Sequence, residues 1–567
     1  MNSEANFDVV SPSGKYGGSA TAGSNGISEL DGKKVGFVWD NAFRGDLMFE
    51  HISNALREQW PGVEFVGPEQ FGHFHGPEEL RVMAELPTRL KEADLDAVIV
   101  GVGACGSCTP AVMRACAVAE DQEITAVALV AEGFMPQAEA IATALGRKSV
   151  IARYPGVVMT DSLDVFHTKV QETVVPEALA GLRRTEPAGN EEALAALAAQ
   201  DGYEAREVVF SGSLDAVQRH FEDHMWTDGL PVMPPTLQAV EAMLQRSRRD
   251  PEEVLGVLLP ANRQATVWNV AVNAVMAGCD PQHFPMILAA AESIADERFG
   301  VQHGGATPGW EPLAIVSGPT IENLGFNSGT AALRVGPRAN SSVGRFLRLF
   351  MRNVAGVAGI ADKATFGAPT QVALAENDEA TRRLGWPTLR EEQGFGVEDT
   401  TVAVQSVVGF SLPIYSESED PDKHLTILAE HIAGVSSHWS CTGLLYKQWE
   451  PLLVMTPAIA SVFAAKGMSK DDIRRELADR ARAPLSQLRT YVSAPGMVLP
   501  DLDARLADGT ARAEYHESDD PDRLVPVIPF PERLAIVVAG DAPRNQSKYY
   551  VNNHVQGPRV AKRVSWD

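Results

Sequence analysis

One stretch constrains this chain more than any other. The run Ala97-Val98-Ile99-Val100-Gly101-Val102 is uninterrupted apolar sequence, and it leads directly into Gly103-Ala104-Cys105-Gly106-Ser107-Cys108-Thr109-Pro110. An apolar run of that length predicts a central parallel strand covered on both faces. The flanking sequence agrees. Lys34 to Trp39 reads as a strand, Leu47 to Gln59 as an amphipathic helix, and Val63 to Val66 as a short strand. Pro77 to Glu92 reads as a helix, as does the stretch from the cysteine turn to Ala119. Ala126 to Val130 then reads as a buried strand and Gln137 to Leu145 as a helix. Alternation of this kind predicts an open parallel sheet with helices on both faces.

The chain divides by pattern. Residues 1–31 are rich in Gly, Ser and Ala and are expected to form a disordered arm. Residues 32–183 form the α/β domain with the Cys-Gly-Ser-Cys turn. Residues 184–203 are expected to be a linker with a short helix, and 204–567 a larger α+β domain with room for two lobes. In that second part, Val267 to Ala277, Phe284 to Ile294, Met455 to Lys466 and Ser469 to Arg482 read as helices. Pro312 to Val316, Val402 to Val408 and Leu534 to Val538 read as strands.

In open α/β sheets ligands bind at the carboxyl ends of strands, where Cys105 falls. A helix N-terminus offers free N–H groups and partial positive charge, which stabilise a thiolate and lower its pKa. Cys108, three residues on, is placed to resolve an adduct on Cys105 as a disulfide. Two other readings of the pair stay open. The cysteines can be small buried apolar residues at a tight turn. They can also be half of a zinc site, with His73 and His75 as the nearest further ligands.

The motif resembles the UGSC family, named for a selenocysteine followed by Gly-Ser-Cys, with Cys105 here at the selenocysteine position. Asp228-Gly229-Leu230-Pro231-Val232-Met233-Pro234-Pro235-Thr236 resembles the entry to the second domain of longer members. Asn327-Ser328-Gly329 and Arg338-Ala339-Asn340 resemble polar signatures of that domain. A family in which selenium stands for this sulfur implies nucleophilic or redox chemistry at Cys105.

Other residues are candidates by position. Asp40, Asn41 and Arg44 follow the first strand and are expected to face the same crevice as Gly106, Ser107 and Thr109. Asn340 or Ser341 would cap a helix from Val343 to Val354, giving with Asn327, Ser328 and Arg338 an anion-binding helix start. Arg345, Arg348 and Arg352 share a helical face and read as a solvated stripe. His438 and Cys441, in a polar stretch expected as a pocket loop, are candidate catalytic groups. His303 to Pro308 reads as a flexible polar loop and a weaker candidate.

Several classes are disfavoured. The 49 Lys and Arg against 74 Asp and Glu give a net charge of −25, which repels nucleic acid and anionic membranes. No stretch reaches the roughly 18 apolar residues of a membrane helix, and residues 1–29 lack the pattern of a secretory signal. Five cysteines in 567 residues are no disulfide framework, and a cytoplasmic location is the default. Gly101-x-Gly103-x-x-Gly106 matches the dinucleotide fingerprint only as a pattern, since Cys105 occupies one of its variable positions and the strand falls mid-domain. No cofactor and no metal are therefore expected.

The expectation is a cysteine-dependent oxidoreductase acting on a small molecule. An external thiol or redoxin would be the reductant, and the chain would form a homo-oligomer where the cover of the site requires one. Its rivals are a non-redox lyase, isomerase or transferase using Cys105, and a non-catalytic sulfur carrier or metal-binding protein.

Overall fold

The computed structural model describes residues 6–17, 23–148, 150–189, 195, 203–368, 372–445, 447–492, 515, 518 and 520–566. Its fold is mixed α/β. The first domain is built on five strands: β2 (Lys34–Trp39), β3 (Glu64–Val66), β4 (Ala97–Gly103), β5 (Thr125–Ala131) and β6 (Ile151–Tyr154). They are all parallel, in the order β3-β2-β4-β5-β6. Side chains alternate between two cores, as strand pleating requires. Ala97 and Ile99 pack under α1 (Gly45–Gln59) and under a helix that runs from Leu163 through a π-helical turn to Leu182. Val98 and Val100 pack under α2 (Glu79–Glu92), α3 (Cys108–Glu120) and α4 (Met135–Ala144). Both faces of β4 and β5 are thus buried, which is why these strands carry no polar alternation.

The N-terminal arm departs from the expectation of disorder. β1 (Phe7–Val10) pairs antiparallel with β7 (Val208–Gly212), and Val9 and Val10 are buried in the core of the second part. Asn269 and Asn273 then donate to the carbonyls of Ser13 and Pro12 at 2.8 and 3.1 Å. The partner strand lies about 200 residues away in sequence, so local composition gave no sign of it. Of the expected linker, Arg184 is held by Glu120 of the first domain and by Ser24 of the N-terminal arm. Residues 190–194 and 196–202 lie outside the described residues.

The second part stacks two sheets. One holds Leu374–Ala375, Glu311–Ser317, Thr401–Val407 and Val560–Arg563. The other holds Gly409–Phe410, Ile414–Tyr415, Gln546–Val551, Leu452–Met455 and Ala535–Val538. Leu313, Ile315 and Ala403 of the first share a core with Leu452, Val454 and Val537 of the second. The opposite faces pack on helices. Ala314, Val316 and Val402 meet Val267–Met276, Phe284–Ala295 and Arg338–Phe350. Leu453, Met455 and Ile536 meet Pro421–Leu445, Pro457–Ala465 and Lys470–Arg480. The result is four layers, helix, sheet, sheet, helix, which covers both faces of the two sheets. Ser469 caps the last of these helices in a reciprocal box with Asp472.

No helix among the described residues is long and apolar enough to cross a membrane.

Candidate functional site

The strand order reverses direction between β2 and β4, and the loops leaving these two strands flank the crevice where such sheets bind ligands. Asp40 ends β2. Its N–H donates to the Gly101 carbonyl at 3.0 Å, and its Oδ1 accepts the Val102 N–H at 2.8 Å. The side chain is buried, and its Oδ2 meets no hydrogen-bond partner. Burial pushes its pKa up to about 8, against the opposing effect of the backbone donors. Asp40 therefore ties the two loops together as a carboxyl that stays neutral near pH 7. Asn41, Phe43 and Arg44 follow with left-handed φ of 55°, 57° and 55°. Arg44 turns away to the Asp161 carbonyl at 3.0 Å and lies over the Phe166 ring. Its guanidinium anchors that segment of the domain.

The cysteine turn sits at the end of β4, with Ser107 as the residue before α3. Cys105 and Cys108 are joined as a disulfide across a Cα–Cα distance of 5.1 Å. Their surroundings differ. Cys105 is partly exposed, and its Sγ receives the N–H of Cys108, the first residue of α3, at 2.9 Å. Cys108 is 1% exposed and lies 3.5 Å from Nε2 of His75. The same nitrogen is 3.1 Å from the Ser107 hydroxyl, which is itself 3.5 Å from the Cys105 sulfur. Thr109 holds the turn by giving both its N–H and its hydroxyl to the Cys105 carbonyl.

The second part of the chain closes over this turn. The Gly106 N–H donates to the Thr307 hydroxyl at 2.9 Å, and a Cβ on Gly106 would stand 2.4 Å from the Gly305 carbonyl oxygen. Only glycine allows that approach. Gln137 of α4 donates to the carbonyls of Gly106 and Ala361 at 3.0 and 3.2 Å, one on each side of the seam. His303 reaches the Gly76 carbonyl at 3.1 Å and lies 3.7 Å from Glu79, whose carboxylate is paired with Arg114.

Residues 8–182 match the UGSC family. No curated protein and no solved structure matches the chain. The UGSC match contains the sheet and the cysteine turn. The segments that cover the turn, at 303–307 and 361–363, lie beyond it.

Sequence reasoning singled out the Cys-Gly-Ser-Cys turn, His75 as a possible ligand and His303 as a weaker candidate, but not His554 or the gathering of these histidines around the turn. His75 comes from the loop before α2, His303 from the covering segment and His554 from the C-terminal stretch. Burial holds all three below the usual imidazole range, His303 and His554 at about 3. For His75, the neighbouring His73, His303 and His554 add to the effect of burial. These are neutral imidazoles near pH 7. His75 had been weighed only as a metal ligand. His554 lies between Asn553 and Gln556, both fully buried. That cluster of amides in an otherwise ordinary segment was the one available sign.

Other candidates are placed differently. Asn327 and Asn340 bond to each other, and Asn340 also donates to the Ala373 carbonyl, so the pair braces the fold. Ser328 contributes its carbonyl to the Gly540 N–H. The helix expected from Val343 starts earlier, at Arg338, with Pro337 before it and no side-chain cap. Arg338 itself is largely exposed, lies 3.7 Å from Asp280 and donates to the Gly278 carbonyl at 3.2 Å. The arginine stripe is engaged as well: Arg345 grips Asp228 with two nitrogens, Arg348 faces Glu311, and Arg352 donates to the Met225 carbonyl. Arg348 and Arg352 line a cavity of about 350 Å³ beside Gly304–Ala306. The stretch around His438 and Cys441 is part of the helix Pro421–Leu445, because its apolar neighbours continue the helical face, and not a loop. The side chains of His438 and Cys441 lie outside the described residues. Trp439 of that helix packs on His554 at 4.8 Å between ring centres.

Proposed function

We propose that this protein is a cysteine-dependent oxidoreductase acting on a small molecule. The observation that carries the reading is the asymmetry of the pair. Cys105 is the accessible sulfur and faces a helix-start N–H, whereas Cys108 is buried beside a neutral imidazole. An amide donor at the helix N-terminus favours the thiolate. A buried neighbour three residues away favours intramolecular resolution over a second substrate attack.

In the reaction, the Cys105 thiolate attacks a reducible sulfur of the substrate and expels its partner as a thiolate, which takes up from solvent the proton that Cys105 had released. Cys108 attacks the resulting mixed disulfide at the Cys105 sulfur while its proton passes by way of the neighbouring His75 imidazole to the departing substrate sulfur. The substrate leaves with both electrons, and the Cys105–Cys108 disulfide remains. A thiol or redoxin then returns two electrons and two protons to the pair. Asp40 keeps the β2 and β4 loops together throughout.

The test is to trap the adduct. Reduced Cys108→Ser protein, offered a panel of small disulfides, should accumulate one mixed disulfide, mapped by mass spectrometry to Cys105. Turnover by the wild type should stop when reductant is withheld. Sustained turnover without reductant would sink this reading and favour the non-redox use of Cys105.

A further inference from the structure

The same turn has the ligand geometry of a metal centre once its sulfurs are reduced. Among the described residues, the imidazole of His75 and the sulfurs of Cys105 and Cys108 bring ligand atoms within 4.8 Å of one another. Bonds of about 2.3 Å to sulfur and about 2.0 Å to nitrogen in a tetrahedron place a nitrogen and a sulfur roughly 3.6 Å apart. His75 Nε2 and Cys108 Sγ are already 3.5 Å apart. Two tetrahedral sulfurs would stand roughly 3.8 Å apart, a separation that reduction of the disulfide permits across the 5.1 Å between the α-carbons.

We propose that the reduced protein binds one thiophilic divalent cation, of the Zn²⁺ type, through His75 Nε2 and the thiolates of Cys105 and Cys108. Two thiolates and an imidazole select for such an ion over Mg²⁺ or Ca²⁺, which prefer oxygen. The fourth position faces the partly exposed side of Cys105 and stays open to water or an incoming ligand. Binding releases the two thiol protons. A small disulfide oxidant reverses it. The two protein sulfurs bond to each other, their two electrons pass to the oxidant, which takes two protons from solvent and leaves as two thiols, and the ion is released. The site is thus present in one redox state and absent in the other. This inference does not depend on turnover, so failure of the proposed reaction leaves it standing, and the reverse also holds.

The experiment is a Co²⁺ titration of the full chain, reduced and then oxidised, under anaerobic conditions. The reduced protein is expected to take one equivalent, with thiolate-to-cobalt charge-transfer absorption and tetrahedral ligand-field bands, and Zn²⁺ should displace it. The oxidised protein should bind at least about 100-fold more weakly, since it has lost two ligands of three. Because the oxidised protein keeps its sequence and fold, that loss cannot be charged to misfolding. Cys108→Ser and His75→Ala should each weaken binding more than about 10-fold. Equal binding by both redox states, or a Co²⁺ complex without thiolate absorption, overturns the proposal. So does a His75→Ala variant with wild-type affinity.

Discussion

The domain around β4 and the segments that cover it are two different kinds of structure. In the first domain the strands pair with near neighbours in sequence, save for the switch between β2 and β4, where the site falls. The cover is assembled from pieces far apart: Thr307 touches Gly106 across 201 positions, Ala361 reaches Gln137 across 224, and His554 arrives from the C-terminal end. A reactive atom can be placed by local rules alone. Its partial cover here depends on long-range closure, which makes the seam the more vulnerable half of the site.

The largest effect is expected at the local half. Cys105→Ser should abolish turnover, a loss of 10³-fold or more, because a serine hydroxyl at the same helix start is no thiolate. Cys108→Ser should cost less, as an external thiol can replace a resolving one. Alkylation of the reduced protein should mark Cys105 ahead of Cys116 and Cys279. Burial pushes Cys116 far up and Cys279 to about 12. First labelling at either of those two would break the comparison at its root.

The next effect tests whether Asp40 belongs to the local half as a neutral carboxyl. Its pKa in the folded protein is about 8 against an ordinary 3.8, so the folded state holds the proton more tightly. The stabilisation is complete below about pH 4 and is lost as pH rises towards 8. Asp40→Asn removes the ionisation while keeping an oxygen for the Val102 N–H. Chemical denaturation from pH 4 to 9 should show wild-type stability falling by a few kcal/mol relative to the variant. Parallel curves would mean that Asp40 is ionised in the fold.

These two expectations concern what the sequence displays. The apolar β4 run, the β/α alternation and the Cys-Gly-Ser-Cys turn were readable because strand burial and helix capping are local, and the sheet bears them out. The helices Val267–Met276 and Phe284–Ala295 were readable for the same reason. The cover was not. His303 to Pro308 reads as a flexible loop because its glycines give no period, yet Gly305 sits at a left-handed φ of 79° where a Cβ would stand 2.4 Å from the Ala361 carbonyl oxygen, and its own carbonyl packs on Gly106. The run Arg338–Asn340 reads as polar and available, whereas in the fold Asn340 is buried on Asn327 and Ala373 and Arg338 stays exposed beside Asp280. A polar residue displays its chemistry in sequence and conceals its partner. β1 was hidden for that reason too, since its partner β7 comes some 200 positions later.

The seam can be wedged directly. Gly106→Ala places a methyl carbon 2.4 Å from the Gly305 oxygen, with Lys363 Cβ and the Thr307 nitrogen both 2.9 Å away. Backbone has to shift, at a cost of about 1–3 kcal/mol. Thermal melting should fall, and the reduced Cys105 should alkylate faster because the cover no longer seats. If melting falls and Cys105 reactivity is unchanged, the cover does not guard the sulfur.

The smallest effect is the most specific. Thr307→Val keeps the shape of the side chain and removes one acceptor, leaving the buried Gly106 N–H without its partner. An unsatisfied buried donor costs about 1 kcal/mol, enough to change an opening equilibrium roughly fivefold. Global melting should barely move, since the sheets and their cores are untouched. Local opening should rise, read as about fivefold faster hydrogen exchange at the Gly106 and Cys108 amides and a matching rise in Cys105 alkylation. Thr307→Ser, which retains the hydroxyl, should restore both rates towards wild type. That rescue separates the hydrogen bond from packing, because serine loses the methyl group that valine keeps. If the serine variant is as open as the valine one, the methyl contact closes the seam and the Gly106–Thr307 bond is incidental.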